Sequence, residues 1–155
     1  MKKKALLFFV TLVVVCAGSL NAQMSKSQLQ QMYVSYLTEQ GYQPSIDSDG
    51  DIIFKVEGGT YYIAVDEDDL QSFRIVFPNF WEIESPSEKV QVRDVANYIN
   101  RTTKVVKLWL NSREDNVSME VNIFIGKPED FKLHFRRIIN LLLAERREFL
   151  EKMNE

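Results

Sequence analysis

Val117-Ser118-Met119-Glu120-Val121-Asn122-Ile123-Phe124-Ile125 alternates with a period of two, setting Val117, Met119, Val121, Ile123 and Ile125 against polar neighbours. Side chains on a β-strand point to opposite faces in turn, so five alternate apolar positions describe a strand with one face on a core. The stretch before it, Lys104 to Leu110, also has strand character, and the polar residues Asn111 to Asn116 between them make a hairpin loop. Val106, Leu108 and Leu110 form its apolar row. Trp109 falls in the other row, with Val105 and Lys107, on the less buried face.

Beyond the hairpin the period changes. Pro128, Glu129 and Asp130 open a long helix, where acids favour the positive end of the helix dipole. Phe131, Phe135, Ile138, Leu142, Phe149 and Met153 mark its inner face, widened by Leu141 and Leu143. Arg136, Arg137, Arg146 and Arg147 read as its solvated face. On the other side of the hairpin, Ser85-Pro86-Ser87-Glu88 has a capping serine, a proline at the first helical position and a glutamate three residues after the cap. Val92, Val95, Ala96 and Ile99 give that helix a narrow apolar stripe.

Earlier still, three runs alternate: Ile52, Phe54 and Val56; Tyr61, Ile63 and Val65; Phe73, Ile75 and Phe77. Asp49-Gly50 and Gly58-Gly59 mark tight turns, and Pro78 ends the set, with an extra short strand near Phe80 to Ile83 left open. The first helix starts with the capping-box spacing of Ser25 and Gln28, buries Leu29, Met32, Tyr33, Tyr36 and Leu37, and stops at Gly41. The order α-β-β-β-α-β-β-α predicts an α+β domain: a mainly antiparallel, twisted sheet of about five strands with three helices.

Residues 1–22 read differently. Lys2 to Lys4, an apolar run from Ala5 to Ala17 and the small residue Ala22 have the layout of a cleavable export signal. The run is shorter than the roughly 20 residues of a membrane span, so no stable membrane anchor is expected after cleavage. Residues 23–155 then form one domain, periplasmic or secreted. Removal of the segment takes three lysines and no acid, moving the net charge from −3 to −6. Such a chain repels phosphate backbones, so nucleic acid is not an expected partner. The single cysteine, Cys16, lies inside the segment. Val13, Val14 and Val15 precede it where lipid attachment needs a small residue, which disfavours a lipoprotein, and its loss leaves no disulfide.

Motifs that carry chemistry are sparse. Asp47-Ser48-Asp49-Gly50-Asp51 resembles a calcium loop, but with Gly50 at the sixth position Ser45 falls first and Val56 twelfth, where an aspartate and a bidentate glutamate belong. A hairpin turn is the simpler reading. Asp66-Glu67-Asp68-Asp69 reads as a solvated loop. His134, the single histidine, has no nucleophile motif beside it, and one histidine without cysteine does not make a zinc site. No cofactor or metal is expected. Asn100-Arg101-Thr102 fits a glycosylation pattern, or more plainly a helix end. Phe80 and Trp81 read either as core or as a loop-borne pair able to anchor a partner, because aromatics offer large contact area for few frozen torsions.

Several of these landmarks resemble the YbjN-like family, labelled as bacterial sensory transduction regulators: Leu37 to Gly41-Tyr42 closing the first helix, Asp49-Gly50-Asp51 before Ile52-Ile53-Phe54, and Asn97 to Thr102 leading into Lys104 to Trp109. The resemblance spans about Leu29 to Leu150. It implies a fold similar to type III secretion chaperones, often dimeric, and brings no catalytic residues. The expected function is therefore an exported, non-enzymatic, chaperone-like module that binds a protein or peptide through its sheet surface or a strand edge. Phe80, Trp81 and Trp109 are its candidate partner-binding residues, and a homodimer is expected. A self-associating envelope protein and a carboxylate-dependent hydrolase are the alternatives.

Overall fold

The computed structural model describes residues 24–155. The expected export signal, with Cys16 and the expected cleavage after Ala22, lies outside the described residues. Three helices, α1 (Lys26–Glu39), α2 (Pro86–Thr102) and α3 (Phe131–Met153), accompany six strands. The strands are β1 (Ser45–Ile46), β2 (Ile52–Val56), β3 (Gly59–Ile63), β4 (Ser72–Glu82), β5 (Val106–Leu110) and β6 (Asn116–Phe124). They form one antiparallel sheet in the order β1-β2-β3-β4-β6-β5. The α+β class and the element order are those read from the sequence. The sheet has six strands rather than about five, because two residues, Ser45 and Ile46, pair with Ile53 and Ile52. A two-residue strand carries too little pattern to be read in advance.

Local signals set the helix ends. The Gln28 amide donates to Ser25 Oγ while the Ser25 amide donates to Gln28 Oε1, so the capping box is complete. At the far end Gly41 takes φ +87°, and the Tyr42 amide reaches back to Leu37 O at 3.0 Å. That is the left-handed stop that only glycine adopts freely. Ser85 caps α2 through the Glu88 amide, with Pro86 first in the helix. A short 3₁₀ turn, Pro128–Asp130, leads into α3.

The core lies between the helices and one face of the sheet. Tyr33 of α1 meets Phe73 and Phe131, while Phe135 of α3 meets Phe54, Tyr36 and Tyr42. Leu29, Leu37, Val92, Ile99, Ile138 and Leu142 fill the space around these rings. Each fully buried side chain of this size contributes about 1.5–3 kcal/mol, enough for the apolar rows to fix strand register.

Pro78 does not end the strand set. β4 runs through it to Glu82 by means of a bulge: Phe77 pairs with Met119 and Trp81 with Val117, so two residues of β4 are extra. Proline has no amide to give the ladder, and Asn79, at φ +45°, gives its own to Ser118 Oγ at 3.0 Å. Phe80 and Trp81 therefore lie on a strand, not a loop. The Gly58-Gly59 turn is also shifted by one residue. Glu57 (φ +46°) and Gly58 (φ +77°) form the two-residue loop, while Gly59 starts β3, where a Cβ would stand 3.0 Å from the rings of Phe77 and Tyr61.

Candidate functional site

On β6 the outward row runs Asn116, Ser118, Glu120, Asn122 and then Phe124, an aromatic ending a polar row and 89 % exposed. It is exposed because β5 stops short. Val106 is the first residue of β5 and pairs with Val121, so Asn122, Ile123 and Phe124 continue past their neighbour. On the other side β4 covers the same residues, Phe73 opposite Ile123 and Ser72 opposite Phe124. The chain between α2 and β5 turns away at Thr103 to Val105, leaving a groove between the end of β6 and α3.

That groove has a volume of about 470 Å³. Val105, Val106, Ile123 and Phe124 line it from the strand side, Ile138 and Leu141 from α3. Its size and apolar lining with a few polar groups are those of a binding site. Leu133, 78 % exposed, lies in an adjoining hollow with Arg136, Arg137, Asn140 and Leu141. Exposed apolar side chains scattered singly mean little, but Phe124 and Val105 line the same groove, and the hollow of Leu133 shares Arg137 and Leu141 with it.

The polar residues of the groove are Thr102, Thr103, Lys104, His134 and Arg137, with Glu145 as the one carboxylate. Among the described residues neither Lys104 nor Arg137 has an acidic side chain within ion-pair distance. Burial pushes the Glu145 carboxyl above the usual range, and the charge of Glu148 adds to this. Arg137 and Glu145 are eight residues apart on α3, about 12 Å along the axis. The groove thus carries two cations without acidic partners among the described residues, together with a carboxyl that ionises reluctantly.

The sheet edges differ from the groove. Asn100 on α2 faces β5, receiving the Leu108 amide on Oδ1 at 2.8 Å and donating Nδ2 to Leu108 O at 3.1 Å. Thr103 Oγ1 donates to Val106 O. These side chains occupy the outer edge of β5, so Asn100 serves a strand rather than its own helix end. At the other edge β1 is only two residues long, beside a shallow cleft of about 390 Å³ near Tyr42 and Lys55. On the face away from the helices Glu120 is 3 % exposed, held by Arg74 Nε at 2.7 Å and paired with Lys107.

The residues singled out from the sequence do not converge. Phe80 stacks on Phe77 and meets Phe149 edge-on at 5.1 Å. Trp81 also contacts Phe149, and its Nε1 donates to Glu88 Oε1 at 2.8 Å. Both pack against the core. Trp109 stands on the opposite face across from Ser118, with Lys107 Nζ 5.5 Å from its ring centre. His134 lines the groove, as does Arg137, so the basic stretch of α3 is not uniformly a solvated face; Arg146 leans over the Phe77 ring. The groove residues Val105 and Phe124, and Leu133 in the adjoining hollow, left a mark in the sequence, since each is apolar in a polar register.

The acidic motifs are occupied by backbone. Asp47 Oδ1 accepts the amides of Asp49 and Asp51, Asp51 Oδ1 accepts that of Val65, and Lys26 Nζ donates to Asp49 O. Glu67 of the second acidic run accepts the Lys26 amide at the start of α1. Among the described residues no three His, Cys, Asp or Glu side chains are placed to hold a metal ion, and no helix is long and apolar enough to cross a membrane.

Neither the curated proteins nor the solved structures contain a match to this chain. The family model for YbjN, described as "Putative bacterial sensory transduction regulator", matches residues 34–143, a span that runs from α1 into α3 and takes in most of the groove. That span exceeds two-thirds of the chain, and the protein belongs to the YbjN family.

Proposed function

We propose that the protein is an exported, non-enzymatic module that binds another protein, chaperone-like in manner, and docks it in the groove beside α3. The observation that carries this reading is Phe124, 89 % exposed at a groove of about 470 Å³. An aromatic in such a position loses solvent contact only when something covers it. The family description, a sensory transduction regulator, names no reaction and supports a binding reading. Export and a periplasmic or secreted location rest on Lys2 to Lys4, the apolar run after them and Ala22. A homodimer belongs to the same reading through Trp109 on the uncovered sheet face, and light scattering that returned one chain's mass would remove it.

The test is site-specific photo-crosslinking in the native host. A photoreactive phenylalanine analogue replaces Phe124 in the full chain, and in a second strain Gln31 on the exposed side of α1. A discrete protein adduct at position 124 and none at position 31 is the expected result. No adduct, or the same smear from both, overturns the proposal.

A further inference from the structure

We infer that the groove takes one kind of occupant: an extended segment of a partner protein that presents both apolar and acidic side chains, Asp or Glu, to α3. The inference rests on the protein-binding reading above and adds the chemistry of the partner. Three observations converge on it.

The first is backbone. The Asn111 amide donates to Asn116 O at 3.0 Å, closing the β5–β6 hairpin. Hydrogen-bonding groups alternate along an antiparallel strand, so Ser118, Glu120, Asn122 and Phe124 turn theirs toward the β5 side. The Ile125 amide goes to Gln71 O on the β4 side, which fixes the same alternation independently. β5 begins only at Val106, so no strand lies opposite Phe124. An extended segment entering the groove continues the ladder where β5 leaves off.

The second is the apolar floor. A segment added to the edge of β6 turns every second side chain toward α3, over Ile123, Ile138 and Leu141. The third is charge. Lys104 and Arg137 lack acidic partners among the described residues, in a chain whose net charge is −3. Two unpaired cations at an apolar groove of an acidic protein select against cationic segments and favour carboxylates, which a guanidinium can hold through two hydrogen bonds. The protein's own leader is thereby a poor occupant, since Lys2 to Lys4 adjoin its apolar run.

Binding is read by fluorescence anisotropy with the full chain and three labelled dodecapeptides, each of three repeats: Leu-Leu-Glu-Glu, Leu-Leu-Lys-Lys and Ser-Ser-Glu-Glu, called the Leu-Glu, Leu-Lys and Ser-Glu peptides, so that each face of the extended chain carries both residue types. The Leu-Glu peptide is expected to bind at least about ten-fold more tightly than the others, and less tightly as salt rises. The double variant Lys104→Glu, Arg137→Glu should lose that preference and gain affinity for the Leu-Lys peptide. This swap cannot come from misfolding. Phe124→Ser, at a side chain with almost no packing of its own, should weaken the Leu-Glu peptide by about ten-fold. Equal binding of all three peptides, no binding of any, or indifference to both variants overturns the inference. So does sedimentation showing a dimer dissolved by Phe124→Ser without peptide binding, which identifies a second copy as occupant, or displacement by decanoate alone, which identifies an anionic amphiphile. A protein adduct at position 124 together with no preference for the Leu-Glu peptide defeats only the acidic chemistry. No adduct and no peptide binding defeats the protein-binding reading with it.

Discussion

Replacing Asn100 by Ala tests how the sheet protects its edge. The Asn100 side chain makes a reciprocal pair with one residue of β5, accepting the Leu108 amide at 2.8 Å and donating to its carbonyl at 3.1 Å. Each bond contributes about 1 kcal/mol net, and a backbone group left buried without a partner costs about 1–3 kcal/mol. Leu108 is 3 % exposed, so water reaches its backbone poorly until α2 moves. Some movement will let solvent in, which places the expected loss at about 2–3 kcal/mol rather than at the full sum. For a domain of this size that lowers the melting temperature by roughly 8–12 °C. The assay is urea unfolding followed by the emission of Trp81 and Trp109, with deuterium exchange of the Leu108 amide as a local probe. Asn100→Asp keeps an acceptor for the amide but sets a carboxylate oxygen against Leu108 O, so it should cost at least as much. A loss below about 0.5 kcal/mol in both variants, with the amide still protected, would refute the reasoning and assign the α2–β5 tie to apolar packing alone.

Two further outcomes are expected. Glu57 is a charged residue at φ +46° before Gly58 in a two-residue hairpin loop, a position that asparagine fills with less strain; Glu57→Asn should therefore raise stability by about 0.5–1 kcal/mol, and an unchanged or lower urea midpoint would show that the loop is not strained there. Asp115 is held below the usual carboxylate range first by hydrogen bonds from Asn111 and Asn116 and then by the charge of Arg113. A group with a depressed folded pKa stabilises above its unfolded value and loses that contribution as pH falls through the folded one. The difference in urea midpoint between wild type and Asn111→Ala should accordingly narrow from pH 6 toward pH 2, and a constant difference would contradict the assignment.

The parts of the fold that were legible are those whose causes are local. Ser25 with Gln28, and Ser85 with Pro86 and Glu88, start helices because the groups they satisfy lie within the next turn. The alternation from Val117 to Ile125 places β6 because period two has a single structural meaning over that length. Elsewhere the cause is distant in sequence. Pro78 sits inside β4 because Ser118, on another strand, takes the Asn79 amide. Gly59 is required by the Phe77 and Tyr61 rings above it rather than by the turn it adjoins. The groove was legible in its parts and not as a whole. Val105, Phe124 and Leu133 each break a polar register, which is common for single residues, and only the late start of β5 at Val106 brings Val105 and Phe124 to one groove.

An open antiparallel sheet must manage two edges, since unpaired backbone groups recruit other chains. Here the edges are managed unequally. On the β5 side Asn100 and Thr103 fill the backbone groups of Leu108 and Val106 with side-chain partners. On the β1 side the edge strand is two residues long, too short to template a ladder. Neither device reaches the end of β6, where the strand outruns β5 by three residues and ends in an exposed phenylalanine. Keeping an aromatic there works against solubility, whereas a serine or threonine would continue the polar row at no structural cost. The protection of one edge and the exposure of this corner together leave Asn122 to Phe124, beside Lys104 and Arg137, as the place where the proposed strand-type docking is to be tested.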